Sequence, residues 1–174
     1  VRRTPLCSQQ LQHRICTVPA PSSGGLALLQ TLALLNQTTN LNSSSTAEPQ
    51  LWRQLARAQA WADADRLYWV HDPIDGAVPS AALLDPAYIV SRATAMQGAN
   101  GSRPTPGLPP GIDRYPYGRP DRGIEQGTSQ ITIVDASGNI ASYTSSVETI
   151  FGSRHLVGGM VMNNQLTDFA FKPS

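Results

Sequence analysis

The chain has 174 residues, 13 Lys plus Arg, 12 Asp plus Glu and a net charge of +1. That length allows one domain with a buried core, and so small a charge gives no electrostatic basis for holding nucleic acid or an anionic membrane. No apolar run reaches the roughly 20 residues that a membrane-spanning helix needs. No signal peptide is visible; the chain starts at Val1, ends on Phe171-Lys172-Pro173-Ser174, and both ends read as cuts through a longer polypeptide.

Residues 1–18 alternate around Leu11, Ile15 and Val18, which predicts short strands. Cys7 and Cys16 fall in this stretch, and two readings stay open. They are buried thiols in paired strands, or they form a local disulfide across a hairpin, which implies an oxidising compartment. Their spacing fits neither a zinc site nor a CxxC redox motif. His13, His71 and His155 are scattered, so no metal site is expected.

The turn Pro19-Ala20-Pro21-Ser22-Ser23-Gly24-Gly25 precedes Leu26, Leu29, Leu32 and Leu35 at helical spacing. Ser22 or Ser23 is the candidate N-cap, and the helix is apolar nearly all round, so it should be buried. Residues 36–46 are rich in Asn, Ser and Thr and read as a loop. A second helix is predicted from Pro49 to Ala64, with Leu51, Leu55, Ala58 and Ala62 on one stripe and Arg53, Gln54 and Arg57 off it. Leu67-Tyr68-Trp69-Val70 then breaks at Asp72-Pro73. A third helix runs from Asp85, its cap, through Pro86 to about Gln97.

Residues 98–127 are rich in Pro, Gly and Arg and show no hydrophobic period. A loop of that length inside a compact domain is functional or disordered, which makes it the candidate cleavable linker. Strands are predicted on either side of an Asp135–Asn139 turn, with Val157–Met162 as one more strand. The expected class is therefore α+β, with helices in 25–97 and antiparallel strands in 129–163. Residues 1–127 form one region and residues 128–174 a second.

Gly127-Thr128-Ser129 stands where the linker meets the first of these strands. If the Gly127–Thr128 bond is cut, Thr128 carries a hydroxyl nucleophile and its own base, the new α-amine. A Gly-Thr at a strand start carries little information alone, and the blocks that follow raise its weight.

Those blocks resemble the γ-glutamyltransferases, members of the N-terminal-nucleophile hydrolases. Thr128-Ser129 with Ile133-Val134-Asp135 and Gly138-Asn139 is similar to the start of the family's small subunit. Ser145-Ser146-Val147-Glu148 with Phe151-Gly152-Ser153 is similar to its next strand and turn. Asn163-Asn164-Gln165-Leu166-Thr167-Asp168-Phe169 is similar to its substrate-amine motif. Upstream, Arg3-Thr4-Pro5-Leu6, Pro19–Gly25, Ala64-Asp65-Arg66 and Leu83-Leu84-Asp85-Pro86-Ala87-Tyr88 resemble the late part of the large subunit.

The resemblance implies a partial αββα sandwich and a precursor that cuts itself between Gly127 and Thr128. It implies γ-glutamyl transfer or hydrolysis by the Thr128 hydroxyl through an ester intermediate, with no cofactor. Ser146 matches a hydroxyl residue that polarises the nucleophile. Gln165 and Asp168 match residues that bind the substrate α-amine, a pairing natural for a carboxylate. Glu148 stands where many transferases have Asn and some related acylases have Glu. Gln130 stands where the family often has His. The family's α-carboxylate-binding Arg, its Gly-Gly oxyanion motif and its Ser-Ser clamp have no match, so these 174 residues alone should be a poor catalyst. The implied partners are a small γ-glutamyl substrate and the remainder of the precursor, in a periplasmic or secreted setting. Alternatives are a cephalosporin-type or poly-γ-glutamate acylase, and a truncated relative that only binds or assembles.

Overall fold

The structure is a computed structural model, and it describes residues 2–39, 48–71, 77–113 and 128–165. The chain divides into two compact units, Val1–Arg119 and Pro120–Ser174.

The first unit opens with a hairpin of β1 (Leu6–Gln10) and β2 (His13–Thr17), paired antiparallel with Cys7 opposite Cys16. The two cysteines are bonded, which decides between the two readings of the sequence. Leu11 and Gln12 close the hairpin with positive φ. The Ala20–Pro21 peptide is cis. Helix α1 (Gly24–Thr38) buries Leu26, Leu29, Ala33, Leu34 and Leu35, as its apolar surface demands. Ser23 sits at the cap position, but its hydroxyl makes no cap bond; it accepts from Arg66 Nη1 at 3.0 Å instead.

Helix α2 (Glu48–Trp69) passes the predicted end at Ala64 by more than a turn. The reason is its buried stripe, which continues from Ala58 and Ala62 through Asp65 to Trp69. The spacing stays helical, but a polar residue fills one of its positions. A short helix α3 (Ser80–Leu83), which the sequence pattern does not announce, leads into α4 (Pro86–Gly98). The Asp85 side chain caps α4 as predicted, accepting from the Ala87 and Tyr88 amides at 2.9 and 3.2 Å.

One core cluster joins Ala33, Leu34 and Leu35 of α1 to Ala58 and Trp61 of α2 and to Ile89, Ala93 and Met96 of α4. A second joins Leu26, Trp69, Leu83 and Tyr88, with Leu6 of β1 packed against it. Arg57 donates to the carbonyls of Met96 and Ala99, so a cation from α2 closes the C-terminal end of α4.

Between the two clusters lies a buried polar group. Asp65 accepts from Gln30 Nε2, Tyr88 Oη and Arg92 Nε on one oxygen and from the Gly107 amide on the other. Arg92 Nη2 adds an ion pair at 2.9 Å, and its guanidinium stacks 4.4 Å from the Trp61 ring centroid. Burial pushes the Asp65 carboxyl above its ordinary value, opposed first by Arg92 and then by the other donors. The Tyr88 hydroxyl is pushed up by burial and by the Asp65 charge. Gly107 is also held through its carbonyl, which accepts from Trp69 Nε1 at 2.9 Å. A Cβ there would lie 2.2 Å from Tyr88 Oη, so only glycine fits.

The second unit is built on β3 (Thr128–Val134) and β4 (Ile140–Ser146), paired antiparallel over their full lengths. Asp135 makes the turn: Oδ1 accepts from the Ser137 and Asn139 amides and Oδ2 from Asn139 Nδ2. Residues 156–161 correct a prediction. They form not one strand but a tight hairpin of β5 (Leu156–Val157) and β6 (Met160–Val161), because Gly158 and Gly159 both take positive φ.

Candidate active site

Alternation along β3 and β4 sorts the second unit's hairpin into two faces. Ser129, Ile131 and Ile133 pair with Ser145, Tyr143 and Ala141 on one face. Thr128, Gln130 and Thr132 pair with Ser146, Thr144 and Ser142 on the other. The second face is thus a row of hydroxyls with one amide among them, closed at the turn end by the apolar pair Val134 and Ile140. Gln130 Nε2 ties it together, donating to Thr132 Oγ1 at 2.7 Å and Ser142 Oγ at 3.0 Å.

Thr128 is the first residue of β3 and lies directly opposite Ser146, the last residue of β4. The strand ladder alone therefore brings together two positions that are 18 apart in sequence. The Ser146 hydroxyl also accepts from the Glu148 amide at 2.9 Å, which turns the chain at the end of β4. Glu148 has φ +66, a left-handed conformation that a side chain rarely adopts.

The loop after β4 is fastened to the segment that follows β6. Asn164 Oδ1 accepts from the Thr149 amide at 3.2 Å and lies 3.1 Å from its hydroxyl. Met162 O accepts from the Ser153 amide, and the Met162 amide donates to His155 O. Asn163 Oδ1 accepts from the Gln165 amide at 3.1 Å. Glu148 and Gln165 each adjoin one end of the Thr149–Asn164 bond, which starts three residues beyond Ser146. Gly127 and Asp168 lie outside the described residues.

Sequence reasoning assigned roles to Gln165 and Asp168 and passed over Asn164, whose side chain joins the two segments. The signal was present in the consecutive Asn163 and Asn164, since Asn side chains bond nearby backbone and define turns. Among the described residues no group of three or more His, Cys, Asp or Glu is arranged to hold a metal ion. No helix among them is long and apolar enough to cross a membrane.

The profile of the Gamma-glutamyltranspeptidase family matches residues 1–174, and the chain belongs to that family. It is 33% identical over 173 residues to the Glutathione hydrolase proenzyme of Bacillus subtilis strain 168, with 95% of this chain and 29% of that protein covered. It is 28% identical over 169 residues to the Acylase ACY 1 proenzyme of Pseudomonas sp. strain SE83, with 96% and 28% covered. The crystal structure of Helicobacter pylori gamma-Glutamyltranspeptidase superposes with a TM-score of 0.52 at 26% identity, over 60% of this chain and 31% of that one. The α+β class thus agrees with a solved relative. The chain spans less than a third of the length of each relative.

Proposed function

We propose that this chain forms part of an enzyme that transfers or hydrolyses γ-glutamyl groups, with Thr128 as its nucleophile. The observation that carries the proposal is the pairing of Thr128 with Ser146 at the open end of β3 and β4, in a chain of this family. The Thr128 hydroxyl attacks the Gly127 carbonyl, the amide becomes an ester, and water opens it. This frees the Thr128 α-amine, which then serves as the base. The same hydroxyl attacks the γ-carbonyl of a glutamyl donor, expels its amine, and passes the acyl group to an amino acid, a peptide or water. Ser146 polarises the nucleophile, and Glu148, Gln165 and Asp168 face the substrate amine. The left-handed backbone at Glu148 supports a role there, because strained residues concentrate at functional sites.

The missing carboxylate and oxyanion groups come from the remainder of the precursor. That remainder also completes the αββα sandwich, in which residues 1–127 end the large-subunit region and residues 128–174 begin the small. The word proenzyme in the relatives' names fits such processing. The bonded Cys7 and Cys16 support a periplasmic or secreted setting. A second reading, acylase activity on a related acyl group, is favoured by Glu148 and by the Acylase ACY 1 similarity.

The test is the intact mass of the full-length protein before and after incubation. A break between Gly127 and Thr128, lost in Thr128→Ala, is the expected result, together with release of the amine from a γ-glutamyl anilide. A full-length protein that stays whole and releases nothing from that substrate overturns the enzyme reading and leaves a binding or assembly role.

A further inference from the structure

The Cys7–Cys16 bond lies on one face of the β1–β2 hairpin, and the two faces differ. Leu6, Ser8, Ile15 and Thr17 are partly buried, and Leu6 packs against the core cluster of Leu26, Trp69, Leu83 and Tyr88. Cys7, Gln9, Arg14 and Cys16 share the opposite face, and Gln9, Arg14 and Cys16 are exposed. Cys7 is the more covered of the two cysteines. Arg14 Nη2 lies 3.7 Å from Cys7 Sγ. The charges in the surrounding sequence are all positive: Arg2, Arg3 and Arg14 are exposed, and no acidic residue precedes Glu48.

From these observations we infer that the disulfide is an exchange site for small thiols that carry negative charge. This is independent of the acyl-transfer chemistry proposed above. A thiolate attacks the exposed Cys16 sulfur; a bond forms between it and Cys16, the Cys16–Cys7 bond breaks, and Cys7 leaves as thiolate. The Arg14 guanidinium stands beside that leaving sulfur, and a nearby cation lowers a thiol's pKa, which makes it a better leaving group. A second thiolate then attacks the small-molecule sulfur of the mixed disulfide and releases Cys16 as thiolate. The balance is two thiols oxidised to one disulfide and one protein disulfide reduced to two thiols. The backbone ladder and the Leu6 contact do not involve the sulfurs, so exchange does not require unfolding.

The experiment uses the oxidised full-length protein with reduced glutathione as the anionic thiol and cysteamine as the cationic one. The reaction is quenched with acid. Trypsin cuts after Arg14 and so separates Cys7 from Cys16. The expected adduct is on the Cys16 peptide. Per thiolate, glutathione should react about fivefold faster at low salt, the scale of roughly 1 kcal/mol for one screened charge pair. That preference should shrink in high salt and in Arg14→Ala. Three outcomes overturn the inference: the adduct on Cys7, equal rates for both thiols, or exchange only at denaturant concentrations that unfold the protein. Because the readout is an adduct mass, a protein that exchanges thiols but never cleaves at Thr128 sinks the proposed acyl transfer alone.

Discussion

Ser146 has two tasks at the residue scale. Its hydroxyl lies opposite Thr128 and also accepts from the Glu148 amide. Removing one such hydrogen bond costs about 1 kcal/mol, equivalent to roughly fivefold in rate if it acts in the transition state. Ser146→Ala should therefore slow cleavage at Gly127–Thr128 by about that factor or more, followed by mass against time, whereas Ser146→Thr should keep most of the rate. Asp135 offers a separate check. Its carboxyl is held below the ordinary value, first by the Asn139 side chain and then by the backbone amides it accepts from. A folded-state pKa below the unfolded one means that the stabilisation is present above about pH 4 and lost as pH falls through the folded value. The Ser137 and Asn139 amide resonances should move together in that acidic window, and they should stay still in Asp135→Asn.

The elements of the first unit are joined through Asp65. Its carboxylate gathers donors from α1, α4 and the chain at Gly107. Asp65→Ala would leave the Arg92 guanidinium buried without its counter-charge, which costs about 3–5 kcal/mol. The expected loss is read from the denaturation midpoint, with the slope unchanged. Gly107→Ala leaves every charge in place but drives a methyl group toward Tyr88 Oη. Overpacking of that kind costs about 1–3 kcal/mol, and limited proteolysis within residues 99–113 should accelerate. If Gly107→Ala matched wild type in both assays, the close fit at that glycine would be wrong. Helix α2 shows why some of this is hidden from a sequence. The predicted helix ends at Ala64, and an Asp at position 65 carries no local signal of burial; only Gln30, Tyr88, Arg92 and Gly107, distant in the chain, make it a core position.

At the scale of the whole molecule, the second unit leaves apolar surface uncovered. Ile131, Ile133 and Tyr143 share one face of the β3–β4 hairpin and are 57%, 60% and 68% exposed. Single exposed apolar residues are ordinary, but a contiguous group marks surface meant to be covered. The 174 residues alone should bind a hydrophobic dye and self-associate, and the full-length protein should do neither. Sedimentation of both forms checks this; a monodisperse, dye-silent 174-residue chain would contradict it.

The sequence by itself determined the helix of leucines, the Asp85 cap, the Asp135–Asn139 turn and the family, because these depend on local periodicity, turn chemistry and residue order. It brought Thr128, Ser146, Glu148, Gln165 and Asp168 forward by resemblance. The folded structure decided what depends on what lies opposite: the bond between Cys7 and Cys16, the burial of Asp65 and the placing of Ser146 across from Thr128. Gly158 and Gly159 make a hairpin of residues 156–161, where the sequence predicts one strand over Val157–Met162. A buried polar group or a strand register is stabilised by what lies opposite, and sequence spacing carries no record of that until the chain has folded.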